Sequence, residues 1–452
     1  MAELSAFSFH SLDEVREAFA QEGFDPPAGD DLSILATPVR YGRLAVPNRL
    51  VAQPMEGCDG TADGAPGELT LRKYIRLAAG GAGMIWFEAC AVAGEARANP
   101  RQLWLHDGTA GAFADMVRSA REAAQQAGWP RQAYILQLTH SGRYCRPTDK
   151  PAPIIAHHSR VLDPRHGLSP EYPLIADEQL DALPGAYVRA AVLARQAGFD
   201  GVDIKSCHGY LLNELLASFT REGSRYGGSY ENRTRMVRQT LAAVRRAVGA
   251  NIEVTTRLSV SDAIDWPYGW GVDRTDAARM DLTEPLRLIG ELRGDGLRGI
   301  NITVGNPYSN PHVNRPADGR IAGSPPPPER PITGMIRILR AAEEVQRAFP
   351  DLTVIASGFA WLRQFGAQFA AGAIKAGLVS LAGFGRGALA CPDFASDIIR
   401  GGGLDAGKVC ITCAGCSQLM RDGQPSGCVV RDAAIYGPLL REGRSRQNKG
   451  AW

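Results

Sequence analysis

AGFDGVDI at 197–204, VRQTLAAVRRAVG at 237–249 and IEVTTRL at 252–258 read as strand, helix and strand. Val237, Leu241, Val244 and Val248 repeat at helical spacing on one face, and Gly249 supplies the stop. Gly198 ends a preceding helix and the turn to Gly201 leads into the run VDI. The unit recurs along the chain. Apolar runs stand at Leu50–Gln53, Met84–Glu88, Tyr134–Leu138, Gly201–Ile204, Ile252–Leu258, Gly299–Val304, Thr353–Ser357 and Leu378–Leu381. Eight buried strands alternating with helices predict an α/β fold, a (β/α)8 TIM barrel rather than an open doubly wound sheet. The barrel is assigned to 34–402, after an N-terminal extension over 1–33 and before a C-terminal segment over 403–452.

Working outward, the loops are unequal. Asp265–Trp270 (DWPYGW) follows the fifth run, and a Pro/Gly-rich excursion from Asn306 to about Pro331, holding Pro325–Pro328, follows the sixth. Both leave the C-terminal ends of strands, where barrels keep their chemistry, so they are read as lids rather than connectors. The composition is ordinary for a globular chain: 452 residues, 44% hydrophobic, 22% charged, net charge +2. Nothing in it predicts nucleic-acid binding, a signal peptide or a membrane span. Nine cysteines, an odd number, fit a reducing cytoplasm better than a disulfide framework. Cys58, Cys90, Cys145, Cys207 and Cys391 are scattered and read as packing residues.

The other four are not scattered. Cys410, Cys413, Cys416 and Cys428 form C-x2-C-x2-C-x11-C within CITCAGCSQLMRDGQPSGC. A triplet of thiolates plus a fourth suits a [4Fe–4S] cluster, whereas zinc sites more often pair two CxxC knuckles; zinc is the alternative.

Strand-end motifs complete the picture: VAQPMEG, WFEACAV, ILQLTHSGR, DIKSCHGYLLNELL with SRYGGSYENRTR, TTRLSVSD, VIASGF and GFGRGALACPDF. Over roughly 34–435 this set resembles the old yellow enzyme family of FMN-dependent oxidoreductases. With the cysteines it resembles the iron–sulfur branch that includes 2,4-dienoyl-CoA reductase and trimethylamine dehydrogenase. HGYLLNELL…YGGSYENR is the most specific match. The resemblance implies non-covalent FMN lined by Pro54, Met55 and Ala89, with Gln137 and Arg257 on the isoalloxazine and Ser357, Gly358, Gly385 and Arg386 around the phosphate. Such a role suits the residue types. Gln carries donors and an acceptor, a fixed guanidinium suits an anionic reduced flavin, and glycines permit close backbone approach. GFGRG alone is compatible with a simple turn. His208 and Tyr210 match the family's carbonyl-holding residue and proton donor. Lys205 departs from the pattern, standing where His or Tyr is usual. It is assigned to an anionic or enolising substrate oxygen, with a salt bridge to an acid such as Glu214 as the alternative. Glu56 stands where amine dehydrogenases of the family tether FMN through cysteine, and Cys58 lies two residues further on.

Only 24 residues follow Cys428, too few for the nucleotide domains of longer relatives, and no strand–GxGxxG–helix unit is present. Electrons are therefore expected from an external redox partner, a flavoprotein or ferredoxin, or from NADH or NADPH visiting the barrel. The expected reaction is hydride transfer between flavin N5 and an activated C=C, an enoate or enone reductase or its reverse. It acts on a CH–CH rather than a CH–NH bond. The alternative is oxidative N-demethylation of a small methylated amine, with Trp266 and Trp270 as an aromatic bowl. A non-enzymatic electron carrier is a third class, disfavoured because a carrier needs no proton donor beside its flavin. The sequence names neither substrate, direction nor oligomeric state, a homo-oligomer included.

Overall fold

The computed structural model describes residues 7–320, 322 and 326–448, and Pro325 of the proline run lies outside them. Two short strands, β1 (Val39–Tyr41) and β2 (Leu44–Val46), form an antiparallel hairpin. Then come β3 (Leu50–Ala52), β4 (Met84–Ala91), β5 (Ala133–Thr139), β6 (Gly201–Ile204), β7 (Glu253–Thr255), β8 (Arg257–Ser259), β9 (Gly299–Thr303), β10 (Thr353–Ala356) and β11 (Leu381–Phe384). These nine join in the order β7-β6-β5-β4-β3-β11-β10-β9-β8, every pair parallel. The two ends, β7 and β8, are halves of one strand interrupted at Thr256, so the sheet closes into the expected (β/α)8 barrel. Ser206 bridges to Leu258 and Asn301 N–H donates to Thr256 O at 3.2 Å across the seam.

The helix read from 237–248 spans Tyr230–Val248, with Val237, Leu241, Val244 and Val248 buried. Ser229 Oγ caps it by accepting from Asn232 N, and Gly249 ends it at φ +62°, a conformation glycine adopts without a Cβ clash. Arg233, from YENR, donates to Leu216 O and to both Glu284 oxygens, with its guanidinium 3.6 Å over Phe219. That motif clamps helix Leu211–Leu216 onto the barrel wall and is structural.

The barrel interior holds Val51, Met84, Trp86, Ala133, Ile135, Ile355 and Leu381. The β1–β2 hairpin plugs its N-terminal end: Tyr41 stands edge-on to Trp86 and its hydroxyl bonds Thr255 Oγ1 at 2.7 Å. At the hairpin turn, Gly42 (φ +57°) faces the Glu253 carboxylate, where a Cβ would come within 2.4 Å. The extension is part of the body. Helix Leu12–Gln21 buries Val15 and Phe19, and Phe7 packs edge-on to Trp361. The C-terminal segment is docked by Asp432, which accepts from Arg72 and Arg76 of helix Glu68–Ala79, and by Ser426 N–H on Gly57 O at 2.6 Å. Among the described residues no helix is long and apolar enough to cross a membrane.

Candidate active site at the C-terminal mouth of the barrel

The end of β6 and the start of β8 place Lys205, His208, Tyr210 and Arg257 together. Lys205 lies with Nζ 3.7 Å from the centre of the Tyr210 ring and is 4% exposed. Glu214, its candidate partner, is taken by Arg143 at 2.6 Å and by the backbone N–H of Ala156. Among the described residues Lys205 makes no ion pair. Burial pushes its pKa down, while the charge of Glu56 acts in the other direction. Among the described residues the Arg257 guanidinium has no carboxylate partner and its Nε is an orphaned buried donor, and burial lowers its pKa.

His208 sits at φ +67°, in the left-handed region, which turns its ring off the strand end. Burial, then the cations Arg257, Lys205 and Arg315, hold its pKa well below the ordinary value, so the imidazole is neutral. Asn314 Nδ2 donates to the carbonyl of Val304 at 3.1 Å, which fixes that atom as the amide nitrogen. It also faces His208 Nε2 at 3.2 Å, so Nε2 accepts and the proton resides on Nδ1. Tyr210 is held neutral by burial and by Glu56, its pKa raised well above the ordinary value. Its hydroxyl is 2.8 Å from the Tyr308 hydroxyl and 3.5 Å from Glu56 Oε1, which also accepts from Gln102 at 2.7 Å.

Around them lie the residues assigned to the flavin. Gln137 donates to Asp203 at 2.6 Å, and Asp203 also accepts from Trp86 Nε1 and the Arg257 backbone N–H. Burial nonetheless lifts the Asp203 pKa to about 6. Ser357 Oγ accepts from Gln53, whose own carbonyl accepts from Asn301. Gly358 at φ +107° opens the turn after β10, where a Cβ would lie 2.7 Å from Met335 Sδ. A Cβ on Gly385 would lie 3.0 Å from Met55 Sδ, so the ends of β3 and β11 share one wall. Pro54 and Met55 are half-buried there, and Ala89 follows an irregularity in β4 that turns Glu88 toward Lys73. Arg386 donates through Nη2 to Pro316 O, while its buried Nη1 has no partner among the described residues. Two orphaned guanidinium nitrogens, on Arg257 and Arg386, fit an anionic cofactor spanning the mouth.

Arg386 has a second neighbour. It lines a pocket with Cys410, Cys413, Cys416 and Cys428, so the flavin-side residues and the cysteine quartet share a wall. The cysteine loop turns through left-handed Thr412 and Ala414, and backbone N–H groups of Thr412 and Arg431 point at the sulfurs of Cys410 and Cys428, each at 3.3 Å. Amide donors to sulfur are what a thiolate ligand set calls for. Burial holds the Cys410 thiol at about 11, with Arg386 acting to lower it. Among the described residues, no three His, Cys, Asp or Glu side chains close on a single metal ion.

The aromatic loop differs from expectation. Trp270 is wholly buried and Trp266 lies against Phe219 and Arg274. The aromatic wall beside Tyr210 is instead Tyr144 and Tyr308, stacked at 3.9 Å. Tyr308, Asn314 and Arg315 all belong to the excursion after β9. Their residue types carry no local signal, and only the fold brings them to His208 and Tyr210. Cys58 is buried with its pKa raised well above the ordinary value, and Asn99 Nδ2 lies 3.4 Å from its sulfur.

Residues 35–286 match the NADH:flavin oxidoreductase / NADH oxidase family. A NADH:flavin oxidoreductase of Gibberella zeae is 27% identical over 278 residues, 56% of this chain and 65% of that protein. Among solved structures, a 2-naphthoyl-CoA reductase complex superposes with TM-score 0.70 at 18% identity, covering 90% of this chain and 58% of that one. The 6-hydroxypseudooxynicotine amine oxidase of Pseudomonas geniculata N1 superposes at 0.68 and 19% identity, covering 91% and 56%. The chain thus spans less than two thirds of each of these proteins, and the two structures share its fold. With a family match over more than half its length, the chain belongs to the NADH:flavin oxidoreductase / NADH oxidase family.

Proposed function

We propose that the protein is an FMN- and [4Fe–4S]-dependent oxidoreductase acting on an activated C=C, as an enoate or enone reductase or the reverse dehydrogenase. The observation that carries this reading is Lys205, a buried cation without a carboxylate partner among the described residues, beside a neutral His208 and a neutral Tyr210. Pro54, Met55, Ala89, Gln137, Arg257, Ser357, Gly358, Gly385 and Arg386 would hold FMN, and Cys410, Cys413, Cys416 and Cys428 the cluster. Bound FMN would supply the hydride at N5, and the cluster one-electron exchange with a donor or acceptor. Lys205 and His208 Nδ1–H then hold the substrate oxygen where negative charge develops, and Tyr210 donates the proton at the α carbon. NADH, NADPH or an external flavoprotein or ferredoxin closes the electron balance. Reduction of anaerobic protein with NADH or NADPH, then re-oxidation by enoates, enones and methylated amines, tests the reading. Iron and sulfide near four per chain, lost on Cys413→Ala, are expected in the same preparation; stoichiometric zinc without sulfide would refute the cluster. Acid precipitation should release the flavin.

Oxidation of a methylated amine is the second reading. Its support is the carboxylate of Glu56 facing Tyr210, whose ring packs with those of Tyr144 and Tyr308, a surface suited to a cation. Lys205 opposes it, because a cation beside a cationic substrate is repulsive.

A further inference from the structure

Tyr308 touches Tyr210, and the reduction of an activated C=C proposed above gives it no role. Its hydroxyl is 2.8 Å from that of Tyr210, yet the residue is 39% exposed, whereas Tyr210 is 2% exposed. The buried proton donor is thus one hydrogen bond from a residue that reaches the surface. We propose that Tyr308 is a positioning residue that relays protons between solvent and Tyr210; this rests on the donor role given to Tyr210.

The placement of Tyr308 is built rather than incidental. Asn306 Oδ1 accepts from the Tyr308 backbone N–H at 2.9 Å, and Asn306 Nδ2 donates to the Tyr144 hydroxyl at 2.8 Å. One side chain thus fixes the backbone of Tyr308 and the ring on which Tyr308 stacks, 16° from parallel. Gly209 gives Asn306 room, since a Cβ there would lie 2.2 Å from its Nδ2. Carbonyls on either side of Tyr308 are pinned by Arg315 on Pro307 and Arg165 on Ser309. A hydroxyl fixed within 0.1 Å of ideal O–H···O distance can pass a proton without reorganising. On Tyr210's other side Glu56 is further, at 3.5 Å, and is engaged by Gln102.

The balance is simple. In reduction, the carbanion left at the α carbon after hydride addition takes the Tyr210 proton, forming the C–H bond as the O–H bond breaks. Tyr210 takes the Tyr308 proton, and Tyr308 takes one from water or buffer. No electron moves in the relay, and in oxidation each transfer reverses.

Tyr308→Phe removes the hydroxyl and keeps the stacked ring. With flavin reduced by NADH or dithionite, single-turnover re-oxidation by 2-cyclohexenone and by cinnamate should slow about 10- to 100-fold. The wild-type proton inventory in H2O/D2O mixtures should be bowed, from two protons in flight, and that of Tyr308→Phe linear. Flavin affinity and the rate of flavin reduction should not change, and Tyr308→His should recover part of the loss. An unchanged re-oxidation rate, or an inventory still bowed in Tyr308→Phe, overturns the relay. If Tyr210→Phe turns over normally, the donor role itself fails. If Tyr210→Phe is inactive while Tyr308→Phe matches wild type, only the relay fails.

Discussion

The two ends of the barrel solve opposite problems with similar residues. At the floor, polar groups are matched: Tyr41 with Thr255, Thr255 with Gly299 O, and Glu253 with the Arg43 backbone N–H. None of these side chains carries an orphaned buried atom. At the mouth, among the described residues, Arg257 Nε and Arg386 Nη1 have no partner and Lys205 no counter-ion. Leaving a buried donor unpaired costs about 1–3 kcal/mol, more when it is charged. The barrel thus keeps its strain at one end, where a bound group can relieve it, and stability at the other. This asymmetry teaches where to look for function without naming a substrate.

The largest effect should follow from breaking the floor. Tyr41→Ala removes a fully buried ring packed on Trp86 and opens a cavity beneath β7 and β9. It should cost about 3–5 kcal/mol by chemical denaturation. Flavin content of the folded fraction should stay at the wild-type level. Loss of flavin at unchanged stability would contradict the division of labour.

Next comes Lys205 at the mouth. Lys205→Met should remove transition-state stabilisation of roughly 2–4 kcal/mol toward enones or enoates, with flavin binding almost unchanged. The amine reading has the opposite sign, because removing the cation relieves repulsion. Faster methylamine oxidation with no loss on any enone or enoate would reverse the ranking of the two functions.

Arg257→Met sharpens the comparison further, because one substitution should move two measurements in opposite directions. Removing an orphaned buried cation should raise the melting temperature of flavin-free protein. It should weaken flavin binding roughly 100-fold, the worth of a charge-assisted hydrogen bond. A lower melting temperature in the flavin-free state would show that Arg257 is already satisfied.

The barrel was legible because eight apolar runs at strand length alternate with helical periodicity, and Val237, Leu241, Val244 and Val248 fall where the period puts them. The last strand was misplaced by the same signal. Leu378 and Val379 are apolar but precede the strand, which spans Leu381–Phe384 and contains Gly383. A Cβ at Gly383 would meet Gln53 Nε2 at 2.2 Å, so a mouth-side hydrogen-bond network, not hydrophobicity, sets the residue there. The hairpin plug escaped notice because strands of three residues carry too little alternation. At the site, Lys205, His208, Tyr210 and Arg257 were singled out by the motifs DIKSCHGY and TTRLSVSD that carry the resemblance, and the fold brings these four side chains together. Tyr308 was not, since its contact with Tyr210 spans 98 residues of sequence. Trp270 shows the converse: an aromatic in a loop motif that the fold buries in the core.

The smallest effect concerns acid. His140, at the end of β5, accepts from the Gly142 N–H through Nδ1 and is 4% exposed. Burial lowers its pKa from the ordinary 6.5 to about 4. The folded pKa is depressed, so the unfolded chain binds the proton first. The stability from a neutral His140 is present above pH 6.5 and is lost as pH falls toward 4. Between pH 7 and 5 the loss should be about 2 kcal/mol. Asp203 and Asp262, raised by burial to about 6, act in the opposite direction over part of this range. The diagnostic quantity is therefore the difference between His140→Asn and wild type. Asn has no proton to take up, so the variant should lose about 2 kcal/mol less than wild type on acidification from pH 7 to 5. Parallel stability curves for the two proteins would show that His140 is not held neutral by its place at the mouth.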